Sequence, residues 1–303
     1  MKDQKLLAFK GTGVAIITPF NAGGKIDYNA LGKVINHVIN GGLEYIVSLG
    51  TTGESAVMTT AEKHEVLRFT VKQVAGRVPI VAGFGGNDTK AVTESIEAFD
   101  KAYNFKGIDA ILSVSPCYNK PTQEGIYQHF MAIDKVAPRP VILYNVPSRT
   151  GSNMEAETTL RLAQDGKNFF AIKEASGHFN QISKIIKDRP EGFLVLSGDD
   201  AISLPLLGLG MDGVISVVAN GWPVEFSDLV RSGLSGNFAN ARLRHNSLLH
   251  IMELIFREGN PGGIKCAMAE MGLIEEELRL PGWPVSDSLR AAIKAEVAKL
   301  IKN

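Results

Sequence analysis

Two short apolar runs of the chain each end in a side chain that can take part in carbonyl chemistry. Lys173 ends the run that begins at Asn168, and Tyr144 ends a run twenty-nine residues upstream. Tyr144 is followed by Asn145-Val146-Pro147-Ser148-Arg149, which adds a guanidinium. An amine can attack a ketone, a phenol can transfer protons, and a guanidinium can bind a carboxylate at two points. These residue types therefore indicate chemistry on a carbonyl compound.

Eight apolar runs, separated by stretches long enough for a helix, are expected to position these residues. The predicted strands are Val14–Ile17, Tyr45–Ser48, Pro79–Phe84, Ala110–Val114, Val141–Tyr144, Phe170–Lys173, Phe193–Ser197 and Gly213–Val217. Their nearly uniform apolar character is typical of parallel strands that are covered on both faces. Eight strand and helix units predict a closed (β/α)8 TIM barrel. An open doubly wound sheet has the same periodicity and is the alternative.

Helix signals support this count and indicate a second, helical part of the chain. Asp27 can cap a helix over Tyr28–Asn40, and Thr60 can open a helix over Ala61–Ala75. After about Gly236 the strand pattern stops. Three further helices are predicted over Asn240–Glu258, Gly263–Met271 and Asp287–Ile301. We therefore predict a catalytic barrel over residues 1–235 and a C-terminal α-helical domain over residues 236–303.

In a TIM barrel the loops after the strands meet at one mouth, so that residues distant in sequence form one site. The loop after the second predicted strand contains Thr51 and Thr52 between two glycines. Glycine lets backbone N–H groups approach a ligand closely, and such a loop can hold a carboxylate without a charged side chain. An ordinary turn has the same composition, and the loop matches neither the Walker loop nor the GxGxxG pattern.

Each candidate side chain also has a simpler interpretation. A lysine at a strand end often reaches solvent, a tyrosine there often packs, and a loop arginine is often a solvated charge. The joint position of Lys173, Tyr144 and Arg149 at one mouth favours catalysis, because enclosing walls disfavour the charged ammonium and leave amine that can attack a ketone. Tyr118 follows the fourth predicted strand, and Gly198 follows the seventh.

Composition excludes several classes of function. The chain has 32 basic and 32 acidic residues and no basic stripe, so we expect no nucleic-acid partner. Cys117 and Cys266 have no ligand spacing, which predicts a reducing, cytoplasmic location without disulfides or zinc. The charged N terminus leads into no long apolar segment, so neither a signal peptide nor a membrane span is expected. Asp199 and Asp200 lack further metal ligands in sequence, and no pyridoxal phosphate loop is evident, so we expect no metal and no cofactor.

Five segments together give a specific resemblance that covers essentially the whole chain. They are Gly13–Phe20, Gly50–Ser55, Tyr144–Gly151, Ile172–Ser176 and Ser197–Asp200. In these segments the chain resembles the 4-hydroxy-tetrahydrodipicolinate synthase family, also called dihydrodipicolinate synthases. This family belongs to the pyruvate-dependent class I aldolases, which also include N-acetylneuraminate lyase. Arg149 separates the synthases from the sialic acid lyases and keto-sugar aldolases, which generally lack it.

The resemblance implies a mechanism, a set of site residues and an assembly. Lys173 is implied to form an imine with pyruvate, whose enamine attacks aspartate semialdehyde in the committed step of diaminopimelate and lysine biosynthesis. Thr51, Thr52, Tyr144 and Arg149 are implied to bind substrates or move protons. Backbone groups of Gly198 and Ile215 are implied to shape the pocket, and Tyr118 is implied to reach the site of a partner subunit. The expected catalyst is a lyase that is at least a dimer and, as a dimer of dimers, a homotetramer.

One region departs from the lysine-inhibited members of this family. Those members carry histidines, a glutamate and a tyrosine where this chain has Thr60, Lys63, Ala91 and Cys117. The missing carboxylate and the added ammonium both disfavour a bound lysine. The resemblance therefore predicts weak or absent inhibition by lysine.

Two other functions remain open at this level. A sibling aldolase that acts on a sialic acid or a keto-sugar acid would use the same imine lysine, but its turnover would not depend on Arg149. A catalytically silent keto-acid binder would bind pyruvate without turnover and without an adduct at Lys173 that borohydride can trap.

Overall fold

Eight parallel strands close into a barrel in which each strand pairs with its sequence neighbours and β8 pairs with β1. The computed structural model describes residues 6–301. The strands are β1 Gly11–Ala15, β2 Tyr45–Ser48, β3 Ile80–Gly83, β4 Ala110–Val114, β5 Val141–Asn145, β6 Phe169–Glu174, β7 Leu194–Ser197 and β8 Gly213–Ser216. The predicted (β/α)8 TIM barrel is confirmed, and the alternative of an open sheet is wrong.

The first strand was predicted three residues too late, because its first residues are not apolar. Gly11, Thr12 and Gly13 pair with β8, and a Cβ at Gly13 would lie 2.2 Å from the ring of Tyr45. The strand therefore needs glycine where a hydrophobic pattern looks for valine or isoleucine.

Helices follow the strands and cover the outside of the barrel. They are α1 Tyr28–Asn40, α2 Thr60–Val74, α3 Thr89–Tyr103, α4 Gln123–Val136, the single turn α5 Pro147–Thr150, α6 Ala156–Asp165, α7 Phe179–Asp188, α8 Ser203–Gly208 and α9 Pro223–Leu234. Asp27 caps α1 as predicted and accepts a hydrogen bond from Ala30 N at 2.9 Å. The cap of α2 is Thr59, one residue before the predicted Thr60, because Thr59 and Glu62 form a reciprocal capping box.

Three helices complete the chain after the barrel: α10 Phe238–Phe256, α11 Gly262–Glu270 and α12 Asp287–Leu300. Helix α10 packs on α9, while α12 packs on both α10 and α11. The predicted C-terminal helical segment is thus confirmed, whereas the domain boundary between residues 235 and 236 stays a prediction. No helix within residues 6–301 combines the length and the apolar character that are needed to cross a bilayer.

Apolar side chains fill the inside of the barrel and close its lower end. The inner cluster includes Tyr45, Ile142, Leu196 and Ile215, all of them buried. Phe9 lies beneath them, with its ring centroid 5.3 Å from that of Tyr45. A filled barrel is a packed core and not a pore, so a ligand can enter only at the mouth formed by the loops after the strands.

Candidate active site

Lys173 and Tyr144 lie side by side at the upper ends of neighbouring strands. The two residues are register partners in the β5 and β6 pair, and side chains alternate between the two faces of a strand. Ile172 belongs to the outer core between the sheet and the helices, so Lys173 faces the inside of the barrel. Its side chain is almost fully buried, and its Nζ lies 4.5 Å from the centroid of the Tyr144 ring. The structure therefore brings the predicted amine and phenol together.

A buried polar network behind this pair fixes the strand ends. The carboxyl group of Glu174 is buried and accepts hydrogen bonds from Asn145 Nδ2 at 3.1 Å, Ser176 N at 2.7 Å and Gln181 Nε2 at 3.1 Å. Asn145 Oδ1 in turn accepts from Met154 N at 3.0 Å. The network thus joins β5, β6, the start of α7 and the segment after α5. Tyr144 precedes Asn145, Lys173 precedes Glu174, and Arg149 lies on the segment between Asn145 and Met154, so the relative positions of all three depend on the network.

The loop after β2 forms a short 3-10 turn over Thr51–Gly53. Leu49 before it and Glu54 after it have positive φ angles of 60° and 55°, which side chains rarely adopt. Thr51 is exposed at the mouth, whereas Thr52 is buried. The first N–H groups of a helical turn have no acceptor within the turn, so this loop presents hydroxyl and amide donors to the mouth.

Three groups outside the loop hold it in this strained conformation. Thr18 Oγ1 donates a hydrogen bond to Gly53 O at 2.8 Å. Asn260 Nδ2, from the segment between α10 and α11, donates to Thr52 Oγ1 at 2.9 Å. Gly83 on β3 leaves room for the loop, because a Cβ there would lie 2.2 Å from Leu49 O.

The C-terminal segment also neutralises two carboxylates near this loop. Lys265 is fully buried and forms an ion pair with Glu54, and burial lowers the pKa of its ammonium. Arg279 hydrogen-bonds Glu62 at the start of α2, with Nη1 2.9 Å from Oε2. The hydrogen bonds from Arg279 lower the pKa of Glu62 to about 2. Both cations lie close to the ring of Phe20, at 4.3 Å and 4.6 Å from its centroid.

Arg149 and Tyr118 lie on adjoining loops at the outer part of the mouth. Arg149 is exposed on the single turn α5, directly after β5. Tyr118 has a φ of 68° and is 86% exposed. The two loops are tied together by a hydrogen bond from Tyr118 N to Thr150 O at 3.1 Å. The Tyr118 ring therefore points away from the packed part of this chain.

Gly198 and Ile215 complete the predicted set on the opposite side. A Cβ at Gly198 would lie 2.8 Å from Lys173 Cε, so only glycine leaves the lysine side chain its present space. Ile215 is fully buried in β8, opposite Gly13 of β1. Asp200 follows β7 and accepts hydrogen bonds from Val217 N and Val218 N, at 3.0 Å and 2.8 Å, which fix the chain after β8. Burial raises the pKa of Asp200 to about 6.

A cavity of about 430 Å³ opens beside the Thr51 loop and reaches Tyr144 and Arg149. Its walls are mostly apolar, with Leu49, Phe84, Leu112 and Val146 among them. Three of the four positions that depart from the lysine-inhibited pattern also line it, namely Thr60, Lys63 and Cys117, while Ala91 does not. Lys173 lies behind Tyr144 and is not part of this wall.

Sequence reasoning missed the residues that support the loops. Asn260, Lys265 and Arg279 are more than 200 residues away from the loop that they contact. One signal could have been used: Lys265 stands in Gly263-Ile264-Lys265-Cys266-Ala267-Met268, where every neighbour is suited to burial. A lysine at a buried position needs a partner, and the loop that contains Thr51 and Thr52 also contains the acidic Glu54.

Comparisons with known proteins agree on one family. The model of the Dihydrodipicolinate synthetase family matches residues 8–300. A 4-hydroxy-tetrahydrodipicolinate synthase from Parabacteroides distasonis is 51% identical over 275 residues, which are 91% of each chain. The crystal structure of dihydrodipicolinate synthase from Aquifex aeolicus is similar with a TM-score of 0.91 and 40% identity, covering 96% of this chain and 98% of that one. A structure described as a monomeric dihydrodipicolinate synthase variant gives a TM-score of 0.93 and 36% identity, covering 97% and 98%.

Proposed function

Because this chain belongs to the dihydrodipicolinate synthetase family, we infer that it is a lyase with the activity of a 4-hydroxy-tetrahydrodipicolinate synthase. It condenses pyruvate with L-aspartate 4-semialdehyde in the biosynthesis of lysine. The observation that carries the assignment of the site is the buried amine of Lys173 against the ring of Tyr144, which lines the same cavity as Thr51.

The proposed reaction begins with an imine at Lys173. The amine adds to the ketone of pyruvate, and the carbinolamine then loses one water molecule. The imine withdraws electrons, so the adjacent methyl group gives up a proton and an enamine forms. Burial of Lys173 supports this step, because an enclosed side chain holds the attacking amine in a defined position.

Tyr144 is proposed to carry protons during formation and loss of the carbinolamine. Its ring centroid lies 4.5 Å from the lysine Nζ, which places the phenol beside the amine whose proton transfers it is proposed to assist. Thr51, exposed at the mouth, and Tyr118 of the partner subunit are proposed to continue a proton relay to bulk water. The carboxylate of pyruvate is proposed to lie on the Thr51 and Thr52 loop, where hydroxyl and amide donors converge.

The enamine carbon then attacks the aldehyde carbon of the semialdehyde. The amine of this substrate closes the ring at the imine carbon and displaces Lys173, which returns as the free amine. Arg149 is proposed to hold the carboxylate of the semialdehyde, because a guanidinium at the rim can bind it at two points. Backbone groups of Gly198 and Ile215 are proposed to shape the wall behind the imine.

We further propose a cytoplasmic homotetramer built as a dimer of dimers. Tyr118 supports the first of these interfaces, because its side chain is 86% exposed on a loop with a positive φ angle and is available to a second subunit. The similarity to a monomeric variant makes the oligomeric state a matter for measurement, and sedimentation velocity of the purified protein decides it.

The reaction is tested by mixing the purified protein with pyruvate and aspartate semialdehyde and coupling the product to the next reductase. We expect nicotinamide oxidation in the wild type and none with Lys173→Ala. Lys187→Ala is the matched control, because that lysine is exposed and far along α7 from the mouth. No turnover in the wild type would contradict the synthase assignment.

Arg149→Ala distinguishes the synthase from its siblings. We expect this variant to form the borohydride-trapped pyruvate adduct at Lys173 but to lose turnover with aspartate semialdehyde selectively. Unchanged turnover with the semialdehyde would favour a sibling aldolase. A wild type that binds pyruvate but gives neither turnover nor an adduct would be a silent binder.

A further inference from the structure

Asn260 connects the C-terminal segment with the loop that we assign to the carboxylate of pyruvate. It lies between α10 and α11 and is 208 positions away from Thr52 in sequence. Its amide nitrogen donates a hydrogen bond to Thr52 Oγ1 at 2.9 Å. Thr52 is buried, with 2% of its surface exposed, so few other groups can compete for this oxygen.

The direction of this hydrogen bond decides what the hydroxyl of Thr52 can do. A threonine hydroxyl has one O–H donor and two acceptor lone pairs, whereas the NH₂ group of asparagine can only donate. Once the amide occupies a lone pair of Thr52, the O–H group is free to donate elsewhere. A bound carboxylate, which can only accept, is the complementary partner.

We propose that Asn260 is a positioning residue that holds the hydroxyl of Thr52 as a donor toward the carboxylate of the keto acid. The proposal deepens the function inferred above and rests on it. Asn260 thereby selects an anionic substrate without contributing a charge. It acts through Thr52 and not on the reacting atoms.

Other contacts explain why Asn260 keeps this position. Helix α11 begins two residues later, and its Lys265 is anchored on Glu54, two residues after Thr52. Arg279, after α11, donates from its backbone N to Glu54 Oε2 at 3.4 Å. The segment that carries Asn260 and the loop that carries Thr52 are therefore also joined at Glu54, two residues from the hydrogen bond.

The test exchanges the donor for an acceptor of the same shape. In Asn260→Asp the carboxylate can only accept, so the hydroxyl of Thr52 turns toward it and away from the substrate. We expect the KM for pyruvate to rise about tenfold or more, the loss that one hydrogen bond to a charged group represents. The kcat is expected to stay within about threefold, because Lys173 and Tyr144 are not touched.

Asn260→Ala is the comparison that separates hydrogen-bond direction from packing. It removes the amide but leaves the hydroxyl of Thr52 free to rotate and donate, so we expect a smaller rise in KM than with Asn260→Asp. A merely structural role predicts the reverse order, since alanine removes more contact than aspartate does. That reverse order, or equal KM values in all three proteins, would overturn the proposal.

A Thr52→Val background separates the effect of the new aspartate charge on KM from the effect of hydrogen-bond direction. Valine has no hydroxyl to turn, so Asn260→Asp then acts by charge alone. We expect its effect on KM to be at least about threefold smaller in this background than with Thr52 present. Equal effects in the two backgrounds would mean repulsion only, and the proposal would be wrong.

Borohydride trapping with pyruvate identifies which assignment has failed. An adduct at Lys173 in the wild type, together with an unchanged KM in Asn260→Asp, overturns the role of Asn260 alone. Absence of the adduct in the wild type overturns the imine mechanism and the role of Asn260 with it. Circular dichroism of each variant shows whether it has kept its fold.

Discussion

Lys265→Met provides the strongest test of how the C-terminal segment supports the site. The ammonium of Lys265 is fully buried, forms an ion pair with Glu54 Oε1 and donates a hydrogen bond to Glu277 O at 2.9 Å. Methionine has a similar length and fills the space without a charge. The substitution therefore leaves the Glu54 carboxylate, itself only 7% exposed, without the cation that it contacts.

The expected cost follows from this arrangement. Removal of one partner from a buried ion pair costs about 3–5 kcal/mol, because the remaining charge is desolvated and uncompensated. The double variant Lys265→Met with Glu54→Gln removes both charges and is expected to recover most of this loss. Glu54 adjoins the Thr52 loop, so the single variant is also expected to raise the KM for pyruvate.

Urea unfolding followed by tryptophan fluorescence measures the change, since Trp222 is buried and reports the loss of packing. Lys294→Met is the matched control, because its ammonium lies 3.0 Å from Glu270 Oε2 but the lysine side chain is 69% exposed. Such a surface pair contributes about 0–1 kcal/mol. The reasoning is refuted if Lys265→Met costs no more than Lys294→Met, or if the double variant is less stable than Lys265→Met.

Three further predictions concern the polar groups around the site. Glu174→Gln places an NH₂ group opposite the donors Ser176 N or Gln181 Nε2, and we expect a loss of about 1–3 kcal/mol in urea unfolding together with a lower kcat. The pKa of Asp200 is raised from 3.8 to about 6, so between these pH values the folded state binds a proton that the unfolded state has released. The contribution of Asp200 to stability therefore falls as pH rises through this window. Asp200→Asn is therefore expected to gain stability relative to wild type from about pH 4 to about pH 7, and a constant difference in unfolding free energy would contradict this. Finally, with Lys63 and Ala91 in place of a histidine and a glutamate, half-maximal inhibition by lysine is expected only above about 1 mM, a binding free energy weaker than about −4 kcal/mol; inhibition assays at saturating pyruvate check it.

The barrel could be predicted from sequence because its strands are short, apolar and regularly spaced. Two of the eight strands, Tyr45–Ser48 and Ala110–Val114, have the predicted bounds, and the others differ at their ends. In β1, β5 and β6 the ladder continues through residues that are not apolar, such as Gly11, Asn145 and Glu174, because hydrogen bonding between backbones does not depend on side-chain polarity. In β3, β7 and β8 the apolar pattern instead extends one residue beyond the strand at one or both ends, because apolar residues also flank the ladder.

The approach of Lys173 to Tyr144 could be predicted because it follows from strand order and alternation alone. The hydrogen bond from Asn260 to Thr52 could not, because it depends on how the last third of the chain folds back onto the barrel. No local pattern encodes a contact between residues 208 positions apart. Tertiary packing determines contacts of this kind, and the hydrophobic periodicity of a sequence does not describe tertiary packing.

The barrel and the C-terminal segment contribute different residues to the site for a physical reason. The loop after β2 combines positive φ angles at Leu49 and Glu54 with a buried carboxylate, and each of these features opposes folding. The barrel offers Thr18 as a single hydrogen-bond donor to this loop, while Asn260 and Lys265 come from the C-terminal segment. The amine and the phenol lie on barrel strands, whereas the cation that pairs with the buried carboxylate of Glu54 comes from the C-terminal segment. The C-terminal helices thus stabilise the strained loop that we propose binds the keto acid, and the proposed chemistry of the mouth draws on both parts of the chain.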